Sequence, residues 1–380
     1  MKKISISSLG QLAKADIDFG DMTILVGPQA SGKSILLQLF KLTLDYGHIT
    51  KTLKRYYDWK GNINDFLSLY FGEGMRGIWH DSTQVLDDSN KFDLSILSRK
   101  GPKRDEAVLL IPAQRVITLK DGWPRTFLDY TAGDPYVVRQ FSEHLRQLME
   151  SGLGAGRGAI FPQIGRMNEV IRKAIDESIF NGAEVRLDKT TMRKRIVLKV
   201  GNYRLPFMVW SAGQREFIPL LMGLYWLMPS KRTRKKKNIE WVIIEEPEMG
   251  LHPQAISALL IVFLELMHRG YKVIISTHSP QILELVWAIQ NLSKLPSVDA
   301  FLKMFGLKKT GFLSKLSEDI LTGKSFKTYY FAKHYKKFKA IDISTLDPGS
   351  MNEAVSEWGG LTSFSTRVSE VVSEAAQGEL

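Results

Sequence analysis

The stretch "VGPQASGKSILLQLF" places Gly27, Gly32, Lys33 and Ser34 at the fixed positions of the pattern G-x-x-x-x-G-K-S. These residue types at this spacing make a phosphate cradle. The backbone N–H groups of the loop wrap the phosphates, the lysine reaches the outer two, and the serine hydroxyl ligates Mg²⁺. Gln29 and Ser31 lie inside the same loop and are candidate nucleotide contacts. Far along the chain, "WVIIEEPEMGLHPQ" delivers two carboxylates to the end of an apolar run. Beside a phosphate loop, Glu245 would complete the Mg²⁺ shell and Glu246 would polarise the attacking water. His278, just past the apolar run of "VIISTHSP", is placed to sense a γ-phosphate. Ser211, Gly213 and Gln214 in "WSAGQREFIPLL" open a helix and make a second anion site. In this chain order that site serves a second copy, capping the γ-phosphate across a two-fold dimer. The implied chemistry is hydrolysis of a nucleoside triphosphate.

These groups need rigid elements behind them. "MTILV" is short, apolar and β-branched and reads as a buried strand. The residues after Lys33 are apolar almost all round, as in a helix packed inside an α/β domain. From Ser211 onward the pattern is helix, strand "WVIIEE", helix, strand "KVIISTHS", helix, which predicts parallel strands covered by helices. "AVLLIPAQRV" holds a further strand. "DPYVVRQFSEHLRQLMESGL" and "IGRMNEVIRKAIDESIF" carry helical spacing, and "AEVRLD", "RIVLKV" and "YRLPFMVW" alternate as an antiparallel meander. "KTYYFAKHYKKFKAIDIS" reads as a hairpin. The fold class expected is α/β with a parallel-sheet core, an antiparallel β meander and a helical insertion.

The 380 residues suffice for two domains or one elaborated one. No apolar run approaches the ~20 residues of a membrane span, and "MKKISISSLGQ" lacks the apolar core of a secretory signal. There is no cysteine, which excludes disulfides, thiol catalysis and cysteine-bound zinc and is compatible with the cytoplasm, the expected location. The net charge of +12 suits a polyanionic partner such as double-stranded DNA, or solubility alone. The one dense charge run is "KRTRKKK", Lys231 to Lys237, a surface loop that either meets phosphates or is simply solvated. The aromatic-rich "RYYDWKGNINDFLSLYFGEGMRGIWH" reads either as core or as a docking surface.

In this order, the phosphate loop, the S-x-G-Q signature, the four apolar residues ending in Glu–Glu and the switch histidine resemble the ABC-type ATPase superfamily. "GPQASGKS", "IPAQR", "SAGQREFIPLL", "EEPEMGLHP" and "STHSPQIL" are similar to its SMC/RecF/OLD group, and within it to stand-alone OLD-like AAA-family ATPases. The resemblance covers roughly residues 1–45 and 105–290. It implies ATP with Mg²⁺, with Lys33 as phosphate clamp, Ser34 and Glu245 on the metal side, and Glu246 as catalytic base. It further implies Ser211 and Gly213 as the signature read in trans, His278 as switch, and "GLHP" as the loop where two monomers meet. Gln114 is the candidate Mg²⁺-sensing glutamine, with Arg115 its rival. The signature reads SAGQ rather than SGGQ, and the interval from Ser34 to Ser211 exceeds a transporter domain's need without holding coiled-coil arms.

The domain organisation expected is an ATPase domain over 1–50 and 105–292, interrupted by insertions near 51–104 and 130–182, with an extension over 293–380. OLD proteins continue into a Toprim nuclease, which needs a Glu and an Asp-x-Asp. "AIDISTLD" offers Asp342 and Asp347 without that spacing, so no nuclease is expected here. By resemblance the chain is a homodimer or higher homo-oligomer across its ATP sites. The resemblance implies that it clamps DNA, or is the sensor or regulatory subunit of an anti-phage system controlling a separate effector, a nuclease or toxin. The alternatives are an ATP-gated scaffold that cages a toxin without touching nucleic acid, and a transporter subunit, against which the long middle region argues.

Overall fold

The structure is a computed structural model describing residues 1–98, 105–154, 159–188, 194–229 and 235–377. The chain divides into two compact units. One comprises Met1–Lys33, Asp81–Lys91 and Ile275–Leu380, the other Ser34–His80 and Phe92–Ile274. Both are mixed α/β.

In the first unit, seven strands lie in the order Asn90–Lys91, Gln84–Asp87, Lys3–Leu9, Leu12–Asp18, Lys337–Asp342, Phe326–His334, Met22–Val26. The Lys3–Leu9 and Leu12–Asp18 strands pair antiparallel, and so do the two arms of the 326–342 hairpin. The hairpin is therefore as expected, but its place is new. Its first arm runs parallel to the Met22–Val26 strand, with Phe326 opposite Met22 and Tyr330 opposite Val26. All five residues of the Met22–Val26 strand are buried, as a strand covered on both faces requires.

In the second unit, the strands Val108–Ile111 and Trp241–Glu245 run parallel, Val242 opposite Leu109 and Ile244 opposite Ile111. Their apolar runs are wholly buried. Helix Pro253–His268 is buried over most of its length, and Ala212–Leu227 is buried from Phe217 onward except at Trp226. The expected meander is present with one more strand than its three runs announced. Ala159–Phe161, Glu184–Asp188, Arg195–Val200 and Tyr203–Pro206 form a four-stranded antiparallel sheet. The two helical patterns before it form Tyr136–Glu150 and Glu169–Ile175, the latter continued by a π turn over Asp176–Phe180.

The aromatic-rich stretch resolves as core. Trp59, Phe66, Tyr70, Phe71 and Ile78 are buried. Tyr70 stacks between Phe66 and Tyr136 with ring centroids 5.6 Å from each, and Tyr56 stacks on Phe127 at 4.6 Å. Offset aromatic pairs of this kind add about 0.5–1.5 kcal/mol each beyond area burial. Among the described residues no helix is long and apolar enough to cross a membrane.

Candidate nucleotide site

The phosphate loop follows the Met22–Val26 strand and opens helix Lys33–Tyr56. That helix has no acidic residue in its first turn, so the positive end of its dipole is left for an anion. Pro28, Gln29 and Ala30 are exposed at the loop tip, while Ser31 and Gly32 are buried. Gly32 has φ +94°, and a Cβ there would sit 2.7 Å from Leu12 Cδ2, so only glycine fits. The Lys33 ammonium lies inside the loop. It donates to the carbonyl oxygens of Gly27 (2.7 Å) and Pro28 (2.8 Å) and to Ser31 Oγ (3.4 Å). In the same unit, Thr277 N–H donates to Leu25 O at 3.1 Å. This contact ties the segment bearing His278, which is half-buried, to the strand leading into the loop.

The second unit begins at Ser34, the residue after Lys33. Ser34 lies near enough to the Glu245 side chain to lower its carboxyl pKa, and Ala113 N–H donates to Glu245 Oε2 at 3.3 Å. Glu245 ends its strand fully enclosed. Burial pushes its carboxyl above the ordinary value, opposed by the nearby Ser34 and by the Ala113 N–H. Its Oε1 is buried without a hydrogen-bond partner. A buried carboxylate oxygen left over beside a serine hydroxyl is the donor set of a small hard cation. Mg²⁺ takes one or two protein oxygens and completes its shell with water and substrate phosphates. Ser34 and Glu245 therefore fit Mg²⁺. Among the described residues no group of three or more His, Asp or Glu side chains is placed to hold a metal by itself.

Glu246 has φ +42°, in the left-handed region that non-glycine residues seldom enter. Its backbone is held there by Arg115. The guanidinium is wholly buried. It donates from Nη1 to Glu245 O (3.0 Å), from Nη2 to Glu246 O (3.1 Å) and from Nε to Glu216 O (3.1 Å). The Glu216 carboxylate lies 3.8 Å from Nη2. Burial lowers the Arg115 pKa, and the surrounding carboxylates of Glu216, Glu248, Glu246 and Glu245 oppose that shift. Gln114, its neighbour, is exposed at the start of the short 3₁₀ turn Arg115–Thr118.

Ser211 caps helix Ala212–Leu227 in a reciprocal capping box. Gln214 N–H donates to Ser211 Oγ and Ser211 N–H donates to Gln214 Oε1, each at 3.3 Å. Ser211 and Ala212 are exposed. Gly213 is constrained from within the protomer, because a Cβ there would lie 2.6 Å from Gly250 O. The signature glycine thus packs on the "GLHP" loop.

The second unit also holds a buried charge cluster that the motifs did not announce. Lys41, two turns into the helix after the loop, donates to Asp45 (2.9 Å), Glu106 (2.7 Å) and Val108 O (2.6 Å). His144 Nε2 meets Glu106 at 2.7 Å. Burial works against a charged Glu106, but His144 and Lys41 outweigh it and hold its carboxyl well below the usual range. Burial likewise works against a charged Lys41, but Asp45 and Glu106 outweigh it and raise its pKa. The one signal in the sequence was a lysine inside the apolar run "LLQLFKLTL".

Residues 231–234 of the basic run lie outside the described residues. Lys235 donates to Gly270 O at 3.4 Å, and Lys236 sits 4.3 Å over the Trp226 ring, so both are anchored to the protein itself. Asp342 accepts from Ser344 N–H (2.8 Å) and Asp347 from Gly349 N–H (2.9 Å), which are turn roles.

A phosphate loop, a buried acid near its serine and a paired glutamate at a strand end are carried here on a mixed α/β fold. Residues 169–284 match the AAA_21 family, described as "AAA domain, putative AbiEii toxin, Type IV TA system". A curated relative, the "Old nuclease" of Escherichia phage P2, is 27% identical over 139 residues, 36% of this chain and 22% of the relative. The alignment thus spans under a quarter of that relative's length. Among solved structures, an SMC head bound to the C-terminal winged-helix domain of ScpA is similar over 90% of this chain and 96% of its own, at 12% identity and TM-score 0.42. The SMC head domain from Thermotoga maritima is similar over 90% and 98%, at 13% identity and TM-score 0.35.

Proposed function

We propose that this protein hydrolyses ATP as a dimer closed around the nucleotide, and that it uses the cycle to control a separate effector protein. The Arg115-held Glu245–Glu246 pair carries the reading. Glu245 stays enclosed on Ser34, while Glu246 is turned out of the strand's path by its left-handed backbone, as a base for an attacking water must be. Lys33 would exchange its loop carbonyls for the outer phosphates. Ser34 and Glu245 would hold Mg²⁺, which when bound neutralises charge on the β and γ phosphates. Glu246 would orient and deprotonate the water. His278 would read the γ-phosphate. The exposed Ser211–Ala212 corner, with Gly213 and Gln214 behind it, would serve the nucleotide of the second copy, giving an isologous two-fold interface.

Control of an effector is preferred over a DNA clamp because Lys235 and Lys236 are engaged with Gly270 and Trp226. The match to a family described by a toxin–antitoxin system supports the same preference. The net charge of +12 is the observation that keeps double-stranded DNA as the second reading.

ATP turnover with and without double-stranded DNA, at low and high salt, tests both. Turnover abolished in Glu246→Gln and indifferent to DNA supports effector control. Salt-sensitive stimulation by DNA replaces it with the clamp. Turnover unchanged in Glu246→Gln removes the catalytic assignment itself.

A further inference from the structure

Helix Ser363–Gln377 is the last described element, and none of its residues is buried. Yet it is strongly two-faced. Phe364, Val368, Val371 and Ala375 recur at intervals of four, three and four, the a/d seam of a coiled coil with Val368 and Ala375 at a. Val372 flanks the seam. Phe364 is 73% exposed and Val372 61%. The opposite face is polar and small, with Ser369 Oγ donating to Ser365 O (2.9 Å) and Ser373 Oγ to Ser369 O (2.7 Å).

Such a helix does not stand alone in water. Isolated helices of about 15 residues are marginal even when alanine-rich, and this one is built largely of serine, threonine and valine, which are poorer helix formers. Something must cover the stripe. A lipid surface is a poor candidate, since interfacial helices carry a basic polar face and this one carries Arg367 against Glu370 and Glu374.

We propose that the stripe is covered by the same helix of a second copy, antiparallel and across a two-fold axis, without need of nucleotide. Charge selects this partner and this direction. Arg367 and Glu374 both occupy the g position beside the seam. In an antiparallel pair g faces g, so Arg367 of each copy meets Glu374 of the other, twice by symmetry. In a parallel pair Arg367 would instead face Val372.

The test uses the full chain, freed of nucleotide and carrying Lys33→Ala to remove nucleotide-driven association, followed by sedimentation across a concentration series. The expected result is a concentration-dependent dimer that Val368→Asp/Val371→Asp abolishes. Arg367→Glu and Glu374→Arg should each weaken it by roughly tenfold or more by turning two attractions into repulsions, and the double reversal should restore it. No residue of this helix is buried, so these variants leave the fold intact, which circular dichroism checks. A monomer at all concentrations overturns the proposal. So does a dimer indifferent to Val368→Asp/Val371→Asp, or single charge reversals that the double reversal fails to rescue.

Discussion

Arg115 donates from Nη2 to the main-chain carbonyl of Glu246 at 3.1 Å while Nη1 holds the carbonyl of Glu245 at 3.0 Å. One buried guanidinium thus grips both residues of the acidic pair, and through Nε it grips Glu216 in the signature helix as well. A lysine can supply the charge but not three directed donors in a plane. Arg115→Lys should therefore retain nucleotide binding and lose turnover on the order of 10²-fold, the usual cost of misplacing a catalytic group by about 1 Å. Nucleotide titration and steady-state hydrolysis on the same preparation separate the two effects. Equal loss of both would mean that Arg115 acts on the whole fold.

Lys33→Ala removes the ammonium that now bonds Gly27 O and Pro28 O. A lost hydrogen bond to a charged group costs about 1.5–3 kcal/mol, roughly 10- to 150-fold in ATP affinity. Fluorescent-nucleotide titration reads this directly. Thermal stability in the absence of nucleotide should change far less.

The cluster around Lys41 makes a prediction about stability and its pH dependence. Lys41→Met leaves Asp45 buried without its cation and Glu106 with His144 alone, and should cost about 3–5 kcal/mol at neutral pH. The sign with pH follows from the carboxylates. In the wild type Glu106 is held below its ordinary value, so its stabilisation is present at neutral pH and lost as pH falls below the usual carboxylate range. In the variant the same carboxyls take up protons more readily, so acidification relieves them. The gap between variant and wild type should narrow steadily on acidification, as urea unfolding over a pH series would record. A gap that widens would contradict the assignment of charge in the cluster.

Gly213→Ala sets a methyl carbon 2.6 Å from the Gly250 carbonyl oxygen, backbone against backbone. Overpacking of this kind typically costs about 1–3 kcal/mol. The loss should appear in the isolated protomer's melting temperature without nucleotide, because the clash lies within one chain. Ala212→Gly, at an exposed position, should leave packing unaltered and cost only a few tenths of a kcal/mol, the helix-end entropy difference.

Much of the site was legible because its parts are contiguous. The loop from Gly27 to Ser34, the strand end at Glu245–Glu246 and the capping box at Ser211–Gln214 are each written in a few adjacent residues whose local physics fixes their form. The division between Gln114 and Arg115 was not legible. Adjacent residues on a short turn face different ways, and only the packing of Glu216 and Glu245 around that turn buries one and exposes the other. Lys41 was hidden for a similar reason: Asp45 lies one turn on, but Glu106, and the His144 that pairs with it, are distant in sequence, and a lysine one turn from an aspartate reads equally well as a snorkelling cation. The aromatic stretch could be read as core or as surface until Tyr136 and Phe127, from other segments, were seen to stack on it. The hairpin at 326–342 announced itself, but not the strand it would join.

That last placement has a consequence for how the protein comes into being. The strand feeding the phosphate loop is made among the first thirty residues, yet the arm that lies parallel to it, Phe326–His334, emerges some three hundred residues later. A ribosome releases the chain from the amino end, so through most of synthesis the "MTILV" segment lacks that neighbour, and its apolar side chains and unpaired backbone groups on that edge await it. Capacity to hold nucleotide should accordingly arise abruptly, once the Phe326–His334 arm has been released, so that products stalled before residue 326 are unable to compete for ATP or for the second copy.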